Sequence, residues 1–92
     1  MSRLQPLCDL RKGESGQIES YLNLPDTDGE VASKIRRMME MGLLVGAIVE
    51  VAHEAPFGGD PFAVKVRGSM IALRRKDAAS ILVRKLGQDS TA

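Results

Sequence analysis

At Gly42 the apolar pattern of this chain changes period, and no other feature limits the fold as much. Before it, Val31, Ile35, Met38 and Met39 recur at spacings of three and four, which puts them on one stripe of a helix. After it, apolar residues alternate. In AIVEVAHE, Ala47, Val49, Val51 and His53 share one face, and Ile48, Glu50, Ala52 and Glu54 the other. In PFAVKVRG, Phe62, Val64 and Val66 oppose Ala63, Lys65 and Arg67. In SMIALRR, Ile71 and Leu73 face inward, and Met70, Ala72 and Arg74 outward. A final run, ILVRKL, covers residues 81–86. A chain that drops from period 3.6 to period 2 and then repeats short runs carries a helix beside a sheet of short strands.

Turn chemistry divides these runs. Gly16 to Leu22, GQIESYL, reads as a first strand with Ile18 toward the core and Gln17 and Glu19 away from it. The polar connector NLPDTDGE follows. Thr27 and Glu30 have capping-box spacing, and Asp28 suits the first turn. The predicted helix runs from about Asp28 to Met41, with Gly42 as its C-terminal stop. Gly68-Ser69 is a two-residue hairpin signal, and KDAAS a helical or turn connector. The expected architecture is mainly β: a small barrel of about five strands with one α-helix inserted after the first. Closure into a barrel would remove exposed strand edges. Residues 1–86 are expected to form one domain, and residues 87–92 a flexible tail.

Size and composition narrow the function classes. Ninety-two residues suffice for one domain that buries only about 60–65% of its unfolded surface. With Tyr21, Phe57 and Phe62 the only aromatics, the core must be aliphatic. Net charge is +1: residues 1–44 carry six basic and seven acidic side chains, and residues 45–92 seven and five. Neither half has the basic field of a protein held mainly by nucleic-acid phosphates. Cys8 is the single cysteine, so no internal disulfide forms. No apolar run reaches the ~18 residues of a membrane span, and the start MSRLQPLCDLRKG has no secretory apolar region. The expected location is the cytoplasm, without membrane insertion.

Each chemical candidate competes with a structural role. The corner Gly58-Gly59-Asp60-Pro61 could cradle an anion, but a phosphate loop needs a Lys, a Ser or Thr, and a helix directly after it. Here a strand follows, so the corner reads as a hairpin tip. Cys8, His53 and Glu54 are the candidate metal ligands. One Cys and one His fall short of a closed transition-metal site, so no tightly bound cofactor is expected, at most a weakly held divalent transition metal. Cys8 with His53 as nucleophile and base has no activating surroundings, so no enzyme is expected. Arg74-Arg75-Lys76 and Arg84-Lys85 form a basic cluster without the aromatic platforms that bind bases. Met38, Met39, Met41, Leu43 and Leu44 fall within seven residues. The methionines cannot all share one buried stripe, and an exposed, flexible Met suits an adaptable protein contact. These five are the candidate partner-binding residues.

The order of these segments resembles the FeoA family. It runs from Gly13-x-x-Gly16 and the helix end RRMMEMGLLVG through AIVEV, GGDP, FAVKVRG and MIALRR to Ala78-Ala79 before ILV, from about Leu7 to Val83. Val45 departs from the family's usual Pro, and the connector NLPDTDGEVAS is longer than usual. The resemblance implies an SH3-like barrel and no catalytic motif. It implies an accessory role in bacterial ferrous-iron uptake through contact with the cytoplasmic G-protein domain of the membrane iron transporter. Monomers or weak homo-oligomers are expected. A metal-responsive module and a small nucleic-acid-binding barrel are the alternatives.

Overall fold

The computed structural model describes residues 3–22, 29–56 and 58–87. Six strands form one sheet: β1 (Leu4–Pro6), β2 (Ser15–Tyr21), β3 (Ile48–Glu54), β4 (Phe62–Val66), β5 (Ser69–Leu73) and β6 (Ile81–Leu86). A 3₁₀ turn spans Leu7–Asp9, helix α1 spans Glu30–Glu40, and a single helical turn, α2, spans Arg75–Ala78. The strand order is β1-β6-β2-β3-β4-β5, with every pairing antiparallel. The mainly-β fold with a helix after the first long strand is the expected one. The added strand, β1, has three residues and no legible alternation. The ladder ends at β1 and β5, so among the described residues two edges remain that a closed barrel would have removed.

The alternating faces are buried as their pattern requires. Val49, Val51, Phe62, Val64, Val66, Ile71, Leu73, Ile81 and Val83 all join one core with Leu7, Leu10, Ile18, Met38 and Leu43. Each such side chain contributes about 1.5–3 kcal/mol on burial. Two β-bulges then break the period. On β2 the register shifts between Ile18 and Ser20, so Ile18 and Tyr21 both face inward, opposite Val83 and Ile81. On β3 the register shifts between Val51 and His53. An extra residue reverses the parity of everything after it, so His53 leaves the face it shares with Val51 in the plain alternation. It pairs with Ala63 and is exposed, while Glu54 pairs with Phe62.

Turns also moved. The hairpin register pairs Val66 with Ser69, so the turn is Arg67-Gly68, one residue earlier than expected. Both have positive φ, 52° and 84°, as a type I′ turn demands. Helix α1 begins at Glu30 after Gly29, so Glu30 opens the helix instead of sitting at its third position. Thr27 and Asp28, like Phe57 and the expected tail from Gln88 onward, lie outside the described residues.

The end of α1 forms a Schellman motif. Leu43 N–H donates to Met38 O at 3.1 Å, and Gly42 N–H to Met39 O at 3.0 Å. Gly42, at φ 107°, supplies the left-handed residue that this closure needs. The motif brings Leu43 and Met38 together as an apolar clasp, and both lie in the core.

Candidate functional site

That clasp divides the five candidate partner residues. Met38 and Leu43 are 4% and 0% exposed. They hold α1 to the sheet and have no surface to offer, which corrects their assignment to a partner contact. Met39, Met41 and Leu44 remain exposed at 36–40%, and Val45 and Ile48 reach 60% and 56%. The departure Val45 therefore points to solvent and strains nothing in the core.

The loop that presents these side chains is tied to β2. Gly46 N–H donates to Ile18 O at 2.7 Å, and Ile18 N–H to Ala47 O at 2.9 Å. Gln17 Nε2 donates to Gly46 O at 3.1 Å. The Tyr21 hydroxyl donates to Leu43 O at 2.6 Å, and burial pushes its pKa up to about 12. Apolar side chains on an already ordered backbone lose little further entropy when a partner covers them.

The Gly58-Gly59-Asp60-Pro61 corner is occupied by the chain itself. Arg75 Nε donates to Gly59 O at 2.9 Å, and the Arg75 backbone N–H to Asp60 Oδ1 at 3.0 Å. Its Nη1 donates to Cys8 O at 2.5 Å, and Nη2 lies 3.7 Å from Glu54 Oε2. The guanidinium sits 5.0 Å from the Phe62 ring centroid. One planar fork thus joins the corner, the 3₁₀ turn and the end of β3, a geometry lysine cannot copy. Sequence reasoning missed this role. Arg75 stands between two other cations, and only the β3 bulge turns Glu54 toward it.

The candidate metal ligands do not converge. His53 is exposed on the outer face of β3. Glu54 turns to Arg75 and accepts Lys12 N–H at 3.1 Å. Cys8 lies on the other side of the Arg75 cation, and its pKa is raised by burial first and by Asp9 second. Among the described residues no three His, Cys, Asp or Glu side chains come together. A guanidinium between Glu54 and Cys8 opposes a cation there, so these residues do not fit a metal held within one molecule. The same raised thiol pKa leaves Cys8 a poor nucleophile, and His53 points elsewhere.

The basic cluster is largely neutralised. Arg84 pairs with Glu19 at 2.9 Å and donates to Gln17 Oε1 at 2.7 Å. Lys85 lies 2.7 Å from Glu14, whose carboxyl it holds below its ordinary range through that hydrogen bond, helped by Arg11 N–H. Within this cluster, Arg74 and Lys76 are the two that stay exposed with no ion pair among the described residues. Among the described residues no helix is long and apolar enough to cross a membrane.

Comparison with known proteins follows this geometry. Residues 5–85 match the model of the FeoA domain. The FeoA protein of Chlorobium tepidum superposes with a TM-score of 0.75 at 32% identity, over 94% of this chain and 74% of that one. A FeoA-like protein of Clostridium acetobutylicum gives a TM-score of 0.77 at 25% identity, over 100% and 98%. The FeoA of Stenotrophomonas maltophilia, solved with zinc, gives 0.69 at 30% identity over 90% and 88%. It is described as a procaryotic SH3 domain protein and a candidate activating factor of ferrous iron transport. No curated protein matches the chain in sequence.

Proposed function

This chain belongs to the FeoA domain family, and on that premise we propose that it is an accessory factor of ferrous-iron uptake. It works in the cytoplasm by contact with the G-protein domain of the membrane iron transporter, and it catalyses no reaction. The observation that carries the reading is the end of α1 with the ordered loop after it, which together hold Met39, Leu44 and Val45 exposed beside a buried clasp. The description of the Stenotrophomonas relative as a transport activating factor supports it. Among the described residues no three His, Cys, Asp or Glu side chains come together, which supports a reading in which the outer surface does the work.

Contact alone does not regulate. The chain biases its partner only by binding one conformation or nucleotide state better than another. Titration of the transporter's G-protein domain with the full chain, with and without a GTP analogue, tests this. The expected result is binding that differs between the two states and weakens in the double variant Met39→Ser, Leu44→Ser. Absence of binding in both states, across low and high salt, would reject the reading. Any divalent ion is expected to bind weakly and between molecules, since one molecule offers no converging donors.

A further inference from the structure

The last strand of the ladder is open. Among the described residues β5 has β4 on one side and no strand on the other. In a two-residue hairpin the residues flanking the turn exchange both hydrogen bonds, and bonded pairs alternate from there. Val66 with Ser69, Val64 with Ile71 and Phe62 with Leu73 are therefore the bonded pairs. The N–H and C=O groups of Met70 and Ala72 point the other way, to the free edge. They have no backbone partner among the described residues. Natural edges are blunted by charge, proline or a bulge. The sequence SMIAL of β5 has no charge and no proline, and its ladder with β4 runs without a register shift. Met70 and Ala72 are exposed.

A groove of about 270 Å³ lies between this strand and α1. Met41 and Ala72 give it an apolar floor, and Lys34, Arg37, Arg74 and Asp77 line its rim. Three cations face one carboxylate there. Lys34 is paired with Asp77 at 3.5 Å, while Arg37 and Arg74 are exposed with no ion pair among the described residues. An unpaired backbone edge is satisfied by an extended chain and not by a helix. An excess of positive charge beside it selects an acidic one. A second copy is disfavoured, because an antiparallel β5–β5 pair would bring the exposed Arg67-Gly68 turn of the other copy, and no carboxylate, to the Arg74 end of the strand.

We propose that the β5 edge and the groove beside α1 take up an extended, acidic segment of a partner protein by strand addition, with Met70 and Ala72 supplying the backbone contacts. Arg37 and Arg74 bind the segment's carboxylates, and Met41 covers its apolar residues. This surface is separate from the Met39–Val45 loop except at Met41, and its test needs no transporter.

The test uses the ¹⁵N-labelled full chain and two synthetic peptides, acetyl-SDVDVDS-amide and its lysine counterpart acetyl-SKVKVKS-amide. With the acidic peptide, amide exchange at Met70 and Ala72 is expected to slow, and binding to weaken as salt rises. The lysine peptide should leave both amides unchanged. The double variant Arg37→Glu, Arg74→Glu changes two exposed side chains and should keep the native spectrum while binding the acidic peptide about ten-fold more weakly. Ala72→Pro removes one outward donor and should abolish the protection at Met70. Equal binding of the lysine peptide overturns the proposal. So does unchanged exchange at Met70 and Ala72 at millimolar acidic peptide, or protection confined to the Met39–Val45 loop. A concentration-dependent dimer that protects these two amides would assign the edge to a second copy and overturn it as well.

Discussion

Two side chains do most to hold this surface in place, and both can be read singly. Tyr21 is the chain's one tyrosine, and there is no tryptophan, so its absorbance titrates alone. Its pKa stands at about 12, raised by burial above the ordinary 10. A raised pKa means that the native state favours the neutral phenol. The stability this gives is complete below pH 10 and is lost as pH rises toward 12. Alkaline titration at 295 nm should therefore place the native midpoint near 12, and urea should return it to about 10. A native midpoint at 10 would mean that the phenol is not buried in solution. Arg75 is the second such residue. Arg75→Ala removes four side-chain contacts at once and should cost about 2–3 kcal/mol in urea unfolding. Arg75→Lys keeps the charge and loses the fork, so it should recover less than half of that. Full rescue by lysine would show that charge alone matters at this position.

At the scale of elements, glycines and bulges set the faces. Gly42 ends α1 at φ 107°, where a side chain is strained. Gly42→Ala should lower stability by about 1–2 kcal/mol, and loosening of the clasp should speed amide exchange at Leu43. Gly59 is a different case. Its φ is 69°, and an added Cβ would lie 2.8 Å from Arg75 Nη2. Gly59→Ala must therefore displace the fork, and in the Arg75→Ala background it should cost only the backbone strain of its positive φ, about 1 kcal/mol. Strict additivity of the two changes in a double-mutant cycle would show that they do not share a contact. Much of this level was legible. The period change at Gly42, the inward faces of β4 and β5, and the helix stop all followed from residue spacing. The bulges at Glu19 and Ala52 did not. Each inserts one residue into a run that reads as plain alternation, and it is the partner strand's length and packing that decide where the extra residue goes. Plain alternation puts His53 on the face of Val51 and Glu54 opposite, and the bulge at Ala52 reverses both.

For the molecule as a whole, four ion pairs join separate segments of the fold among the described residues. Glu14 is held below its ordinary 4.5 by Lys85 and by Arg11 N–H. A lowered carboxyl pKa gives stability that is present above pH 4.5 and is lost as pH falls through the native value. The difference in stability between the wild type and Glu14→Gln should therefore narrow below pH 4.5, as followed by thermal unfolding from pH 6 to pH 3. A gap that is constant with pH would place the effect in packing instead. The pairing of Lys85 with Glu14 and of Arg84 with Glu19 also neutralises two of the five cations in the basic cluster.

The division between sequence and structure has a physical basis. Hydrophobic period and turn residues act over a few neighbours, so the residue order alone determined one helix, a sheet of short strands and an aliphatic core. It also determined the resemblance that the family match bears out. Which methionine is buried, which cation becomes a clamp and which strand edge stays open depend on contacts between residues far apart in the chain. Cys8 and Arg75 are 67 positions apart, and Tyr21 and Leu43 are 22 apart. Only the closed packing of the sheet brings such pairs within hydrogen-bond reach, so only the tertiary structure decided them.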